Sequence, residues 1–129
     1  ILKLTAQSSL PRLTMPKLPD QCELLRIFIG ESDRYNGKPL YEAIVAKAKN
    51  EGLAGATVLR GLMGFGRHSR MHTAKVLRLS EDLPIVIEIV DTTEKIEALL
   101  PKFDEMIDEG LVTVEKVRVI AYRSEERGD

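Results

Sequence analysis

Arg60-Gly61-Leu62-Met63-Gly64-Phe65-Gly66-Arg67-His68-Ser69-Arg70-Met71-His72-Thr73-Ala74-Lys75 gathers three glycines, both histidines of the chain and four cations, with no acidic residue among them. Glycines at a strand end let consecutive backbone N–H groups turn toward an anion, and guanidinium or ammonium groups beside them supply charge. Gly64-Phe65-Gly66-Arg67, with Arg70 and Lys75 further on, is therefore a candidate phosphate site. It is neither a Walker loop, since no Gly-Lys-Ser/Thr follows, nor a dinucleotide fingerprint. The same glycines also suit a tight hairpin or a close contact between subunits.

A second chemistry is metal binding. His68 and His72 stand four apart, but the surrounding residues are not helical in pattern and no metalloprotease glutamate lies between them. Two imidazoles leave a zinc site short of ligands unless subunits pool them, as in a metal-binding trimer or a small enzyme built on His68 and His72. Acid–base catalysis finds carboxylates at Glu31 and Asp33 and at Asp104, Glu105, Asp108 and Glu109, the latter where a helix shows its polar side. No serine or cysteine stands in a nucleophile motif. Nucleic-acid stacking would need aromatics on central strands, and Phe28 is the one candidate.

The elements that position this stretch follow from periodicity. Leu24-Leu25-Arg26-Ile27-Phe28-Ile29 reads as a strand with Leu25, Ile27 and Ile29 on one face and Leu24 and Phe28 on the other, so both faces require cover and a second subunit is expected on one of them. Asn36-Gly37 signals a turn, Pro39 suits a first helical turn, and Leu40, Tyr41, Ile44, Val45 and Ala48 mark an amphipathic helix ending at Gly52. Ala56–Phe65 returns to strand character. Leu83–Val90 is a third strand that tolerates Pro84 only at its start or on an edge. Asp91-Thr92-Thr93-Glu94 has the form of a capping box ahead of a helix through Ile96, Leu99, Leu100, Phe103 and Ile107, which Pro101 should kink or delay. Leu111–Tyr122 is the last strand, and its alternation slips between Val114 and Val117, which predicts a bulge or irregular lead-in.

The order strand, helix, strand, strand, helix, strand predicts an α+β ferredoxin-like βαββαβ domain, a four-stranded antiparallel sheet with two helices on one face. Only the connection between the second and third strands is long, so the cationic stretch is expected as a protruding loop or hairpin. Residues 1–21, with prolines, serines and no sustained period, read as a flexible arm or linker; 22–123 form the domain and 124–129 a charged tail. The opening at Ile1 rather than a methionine leads us to expect a trimmed product or a piece of a longer chain, with Met15 as an alternative start.

The 129 residues bound one domain. With 19 Lys and Arg against 20 Asp and Glu, the net charge of −1 gives no global field for nucleic acid or anionic lipid. The single cysteine, Cys22, excludes an internal disulfide and fits a reducing, cytoplasmic setting, where it reads as a small residue at a strand start. No apolar run reaches membrane-spanning length, so direct membrane insertion is not expected.

Gly55-Ala56-Thr57-Val58-Leu59-Arg60-Gly61, Gly64-Phe65-Gly66-Arg67 and Leu83–Val90 resemble the second strand, loop entry and third strand of the nitrogen regulatory PII proteins. Leu25–Glu31, Gly37–Tyr41, Arg60–Gly66 and Leu83–Asp91 are more closely similar to a widespread PII-like family of unknown function. The resemblance spans about Glu23 to Tyr122. It implies a homotrimeric, non-enzymatic signalling protein with a small anionic effector, such as an adenine nucleotide, in clefts between subunits. It further implies Arg60, Gly64, Phe65, Gly66 and Arg67 beside that effector. His68, Arg70, His72 and Lys75 would then meet an unknown target protein, such as a membrane transporter or channel. Two PII features are missing. Asp108-Glu109-Gly110-Leu111 is acidic where PII proteins carry a glycine- and lysine-rich phosphate loop, and Tyr122-Arg123-Ser124-Glu125 does not reproduce their C-terminal arginine motif. The loop also lacks the tyrosine that some PII proteins have uridylylated.

Overall fold

A computed structural model of the chain describes residues 18–66, 72–73 and 82–124. The alternating isoleucines become the two central strands. β1 (Gln21–Gly30) buries Leu25, Ile27 and Ile29 on one side. Two short strands, β2 (Arg34–Tyr35) and β3 (Lys38–Pro39), pair around Asn36-Gly37, whose positive φ angles of 51° and 80° are those a tight hairpin turn demands. Helix α1 (Leu40–Asn50) buries Leu40, Ile44 and Ala48, and Lys47 and Lys49 in its last turn complement the helix dipole. Gly52, at φ 83°, turns the chain out of it. Pro39 sits one place outside the helix, at its N-cap, rather than in the first turn.

The glycine-thinned region divides. β4 (Thr57–Arg60) joins the main sheet, while β5 (Met63–Gly64) pairs antiparallel with β6 (His72–Thr73) as a separate ribbon. β7 (Pro84–Asp91) begins at its proline, where the missing N–H costs no ladder bond, and buries Ile85, Ile87 and Ile89. Helix α2 (Thr93–Met106) buries Ile96, Leu99, Phe103 and Met106. Its N-cap is Thr92, whose hydroxyl accepts from the Lys95 N–H, and not Asp91. Asp91 is instead drawn into the core at 1% exposure, where its two oxygens accept the N–H groups of Ala54 (2.8 Å) and Thr92 (2.7 Å). The helix runs on through Pro101 without interruption.

β8 (Leu111–Arg118) pairs with β1 in unbroken register from Leu111↔Phe28 to Arg118↔Gln21. The expected bulge is absent, and the strand ends before Tyr122. Most residues on both sides of β8 are exposed, so a slip in apolar alternation carries no burial cost there and marks no irregularity.

The strands lie in the order β4-β7-β1-β8, all neighbours antiparallel. Both helices pack on the face that holds Leu25, Ile27, Ile87 and Ile89, which is the ferredoxin-like arrangement. The opposite face is open, with Leu24, Phe28, Val86 and Val90 half-buried and Leu59 and Leu111 exposed. Cys22 is buried, its thiol donating to the Pro19 carbonyl at 3.3 Å, and burial, with the charges of Asp91 and Asp20 adding, pushes the thiol up from its ordinary value. No helix among the described residues is long and apolar enough to cross a membrane.

Candidate functional site

Gly30 ends β1 directly opposite Pro84, the first residue of β7. That register brings three separate connections to one end of the sheet: the turn after β1, the exit from β4 into the long connection, and the turn from α2 into β8. Between them lies a cleft of about 550 Å³. One side carries Gly64, Phe65 and Gly66, and another carries Asp108, Glu109, Gly110 and Leu111. Phe28, Ile29, Gly30, Pro84, Asp33 and Asp82 complete its lining.

Close packing explains Gly61 and Gly64 but not Gly66, where an added Cβ would meet nothing within 4 Å. A Cβ on Gly61 would lie 2.8 Å from Cγ of Pro84, and one on Gly64 would lie 3.2 Å from the same atom. Gly61 also donates its N–H to the Pro84 carbonyl at 2.7 Å. A Cβ on Gly110 would fall 2.7 Å from the Phe28 carbonyl oxygen. These residues let backbone approach backbone around the cleft mouth.

The electrostatics run against a simple phosphate cradle. Asp33 accepts the Gly30 N–H at 3.0 Å, and Asp82 accepts the Ser32 N–H at 2.8 Å, so each carboxylate ties down the turn after β1. Burial pushes the Asp33 carboxyl above its ordinary value; the Gly30 N–H opposes that shift, and the charges of Asp82 and Glu109 add to it. Asp108 and Glu109 bring further negative charge to the opposite lip.

Of the residues singled out from sequence, the structure brings Gly64, Phe65 and Gly66 to the cleft, with Phe65 two-thirds exposed. Arg60 stands on edge strand β4 with its guanidinium 3.4 Å from Glu31, and it does not line the cleft. Arg67, His68, Arg70 and Lys75 lie outside the described residues, and His72 is placed only as backbone in β6. The metal reading of His68 and His72 thus falls outside what the structure describes; among the described residues no group of three or more His, Cys, Asp or Glu could hold a metal ion. Sequence reasoning weighed Asp33 only as a catalytic carboxylate and passed over Asp82. The one hint of their meeting was that both flank the ends of strands that pair.

A glycine-lined cleft rimmed by carboxylates leaves the charge needed for an anion to be brought from beyond the described residues. The glycine backbone fits the close approach of a phosphate; Asp33, Asp82, Asp108 and Glu109 do not.

The fold, with a long connection between the second and third strands of the main sheet, is that of a ferredoxin-like domain. The DUF190 family (Uncharacterized ACR, COG1993) matches residues 22–119, and the chain belongs to that family. A UPF0166 protein of Aquifex aeolicus (strain VF5) is 41% identical over 76% of this chain and 92% of its own length. Another UPF0166 protein, from Methanocaldococcus jannaschii, is 36% identical over 81% of this chain and 95% of its own. Among solved structures, CPII of Thiomonas intermedia K12, a nitrogen regulatory PII-like protein bound to ADP, AMP and bicarbonate, covers 77% of this chain and 88% of its own with a TM-score of 0.54. At 21% identity that likeness is one of fold.

Proposed function

We propose that this protein is a homotrimeric PII-like regulator that binds a small anionic effector, an adenine nucleotide in the first instance, at the cleft beside Gly64–Gly66. The trimer would form through the open face of the sheet. Effector binding would be passed to a target protein, such as a membrane transporter or channel, by the stretch that carries Arg67, His68, Arg70, His72 and Lys75. The reading is of a binding protein and not a catalyst.

One observation carries it: three residues of the long connection that follows β4, Gly64, Phe65 and Gly66, line a cleft at the end of the sheet. Occupancy of the cleft would therefore bear directly on the connection, which is the coupling that an effector-driven switch requires. CPII, of the same fold, holds adenine nucleotides, which supports that effector class here. The carboxylates of the cleft require cationic partners for any phosphate. Arg67, next in sequence to Gly66, is the first candidate, and cations of a neighbouring subunit are the second.

Isothermal titration of the protein, at an oligomeric mass confirmed by sedimentation, with ATP, ADP, AMP and cyclic nucleotides tests this. Saturable binding of at least one, weakened about tenfold or more by Arg67→Ala, is expected. No heat with any of them removes the nucleotide reading.

A further inference from the structure

Within the four main strands, the open face of the sheet carries three charged side chains, and they form one cluster. Arg26 stands on β1 directly opposite Glu88 of β7, and Glu115 of β8 lies diagonally across from it. Its Nε donates to Glu88 at 2.9 Å and its Nη1 to Glu115 at 2.6 Å. Around them lie Leu24, Phe28, Val86 and Val90, half-buried, with Thr57 and Thr113 directly beside the cluster.

The cluster is incomplete within one chain. A guanidinium has five N–H donors, and Arg26 uses two of its nitrogens on these carboxylates. Each carboxylate engages Arg26 through a single oxygen, and the Glu115 side chain is 58% exposed, against 35% for Arg26. Arg26 thus keeps N–H groups and Glu115 keeps an oxygen to spare, in the middle of a surface whose flanks favour burial. Covering such a face costs several kcal/mol per ion unless the cover supplies the missing hydrogen bonds. What fits is a surface that is itself apolar, presents a carboxylate to the spare guanidinium donors, and presents guanidinium donors to the projecting carboxylate. A second copy of this face has all three properties.

We propose that Glu115 of each subunit reaches the spare N–H groups of Arg26 on a neighbouring copy, so that Arg26 and Glu115 form a reciprocal ion pair between subunits and set the register of the assembly. This rests on the reading above that the chain assembles through its open face, and it adds the charged pair that makes the face selective for its own kind. Apolar flanks alone would accept many partners; a charged centre admits only a partner that completes it.

Charge reversal tests it on the full chain. Arg26→Glu, Glu115→Arg and the double variant carrying both are purified separately, their folding is checked by circular dichroism and melting, and sedimentation velocity is run on each and on the wild type. Each single variant should associate at least about tenfold more weakly than the wild type, and the double variant should recover oligomeric mass, because the exchanged charges pair again at every interface of a closed ring. A double variant that stays dissociated while the wild type is oligomeric overturns the pair across subunits, as do single variants that assemble normally. A wild type that is monomeric at every concentration instead overturns the oligomeric reading itself. Should a reversal variant fail to fold, Glu115→Gln decides: loss of oligomer with an unchanged melting curve supports the pair, and undiminished assembly overturns it.

Discussion

Gly61 and Pro84 are locked together at the root of the long connection: the Gly61 N–H donates to the Pro84 carbonyl at 2.7 Å, and the proline ring fills the space a side chain on Gly61 would occupy. The bond extends the β4–β7 pairing one step past Arg60↔Ile85, so it fixes where the chain leaves the sheet. A stiff ring cannot swing aside as the end of a lysine would. Gly61→Ala should therefore cost about 1–3 kcal/mol by overpacking. Because the shift falls at the cleft mouth, nucleotide affinity should fall with it. Urea unfolding and titration on the same preparation check both; unchanged stability would mean that the β4 edge yields freely.

Asp91 joins two connections that are distant in sequence, the α1–β4 loop at Ala54 and the start of α2 at Thr92. Its side chain is fully buried. Asp91→Ala leaves two N–H groups without their acceptor, and about 2–4 kcal/mol of stability should be lost. Thr92→Ala, which removes only the helix cap to Lys95, should cost about 1 kcal/mol. Chemical denaturation of the two variants should rank them in that order, and equal costs would mean that Asp91 acts only as part of the helix cap.

Pro101 lies inside α2 with its ring exposed to solvent. It packs little and supplies no N–H to the helix ladder, so its presence is a local cost. Pro101→Ala should raise stability by about 1–3 kcal/mol with the fold unchanged, read as a higher denaturation midpoint at constant slope. A lower midpoint would show that the proline shapes α2 for packing against β1 and β7.

The parts of this fold legible in the sequence are those where one periodic face meets the core. Ile85, Ile87 and Ile89 alternate because β7 is central and covered by helices, and Ile96, Leu99 and Phe103 recur at helical spacing for the same reason. The last strand was misread past Val114 because an edge strand has no such constraint. Asp91 was taken for a cap because its spacing to Glu94 matches one, and burial between two loops leaves no mark on a sequence. The cleft was half legible. Gly64–Gly66 announced it by composition, but the carboxylates opposite arrive through the pairing of Gly30 with Pro84, a contact between residues far apart in the chain.

Asp33 connects stability to ligand choice. Burial and the neighbouring Asp82 and Glu109 hold its carboxyl above the unfolded value, so the folded state takes up a proton more readily than the unfolded one. The stability that follows is full below the unfolded pKa and is lost as pH rises through the folded one. Asp33→Asn keeps an oxygen for the Gly30 N–H and removes the charge. At about pH 7 the variant should be more stable, by about 0.5 kcal/mol given the solvent screening of a partly exposed group. The gain should vanish toward about pH 3, where the wild-type carboxyl is protonated in both states. The same substitution takes one negative charge from the cleft, so an anionic effector should bind a few-fold more tightly at neutral pH and equally at the acidic end. Urea midpoints and nucleotide titrations across this range separate the two effects. A variant less stable at neutral pH would show that the hydrogen bond to Gly30 outweighs the repulsion, and weaker nucleotide binding would show that the carboxylate contacts a donor on the ligand.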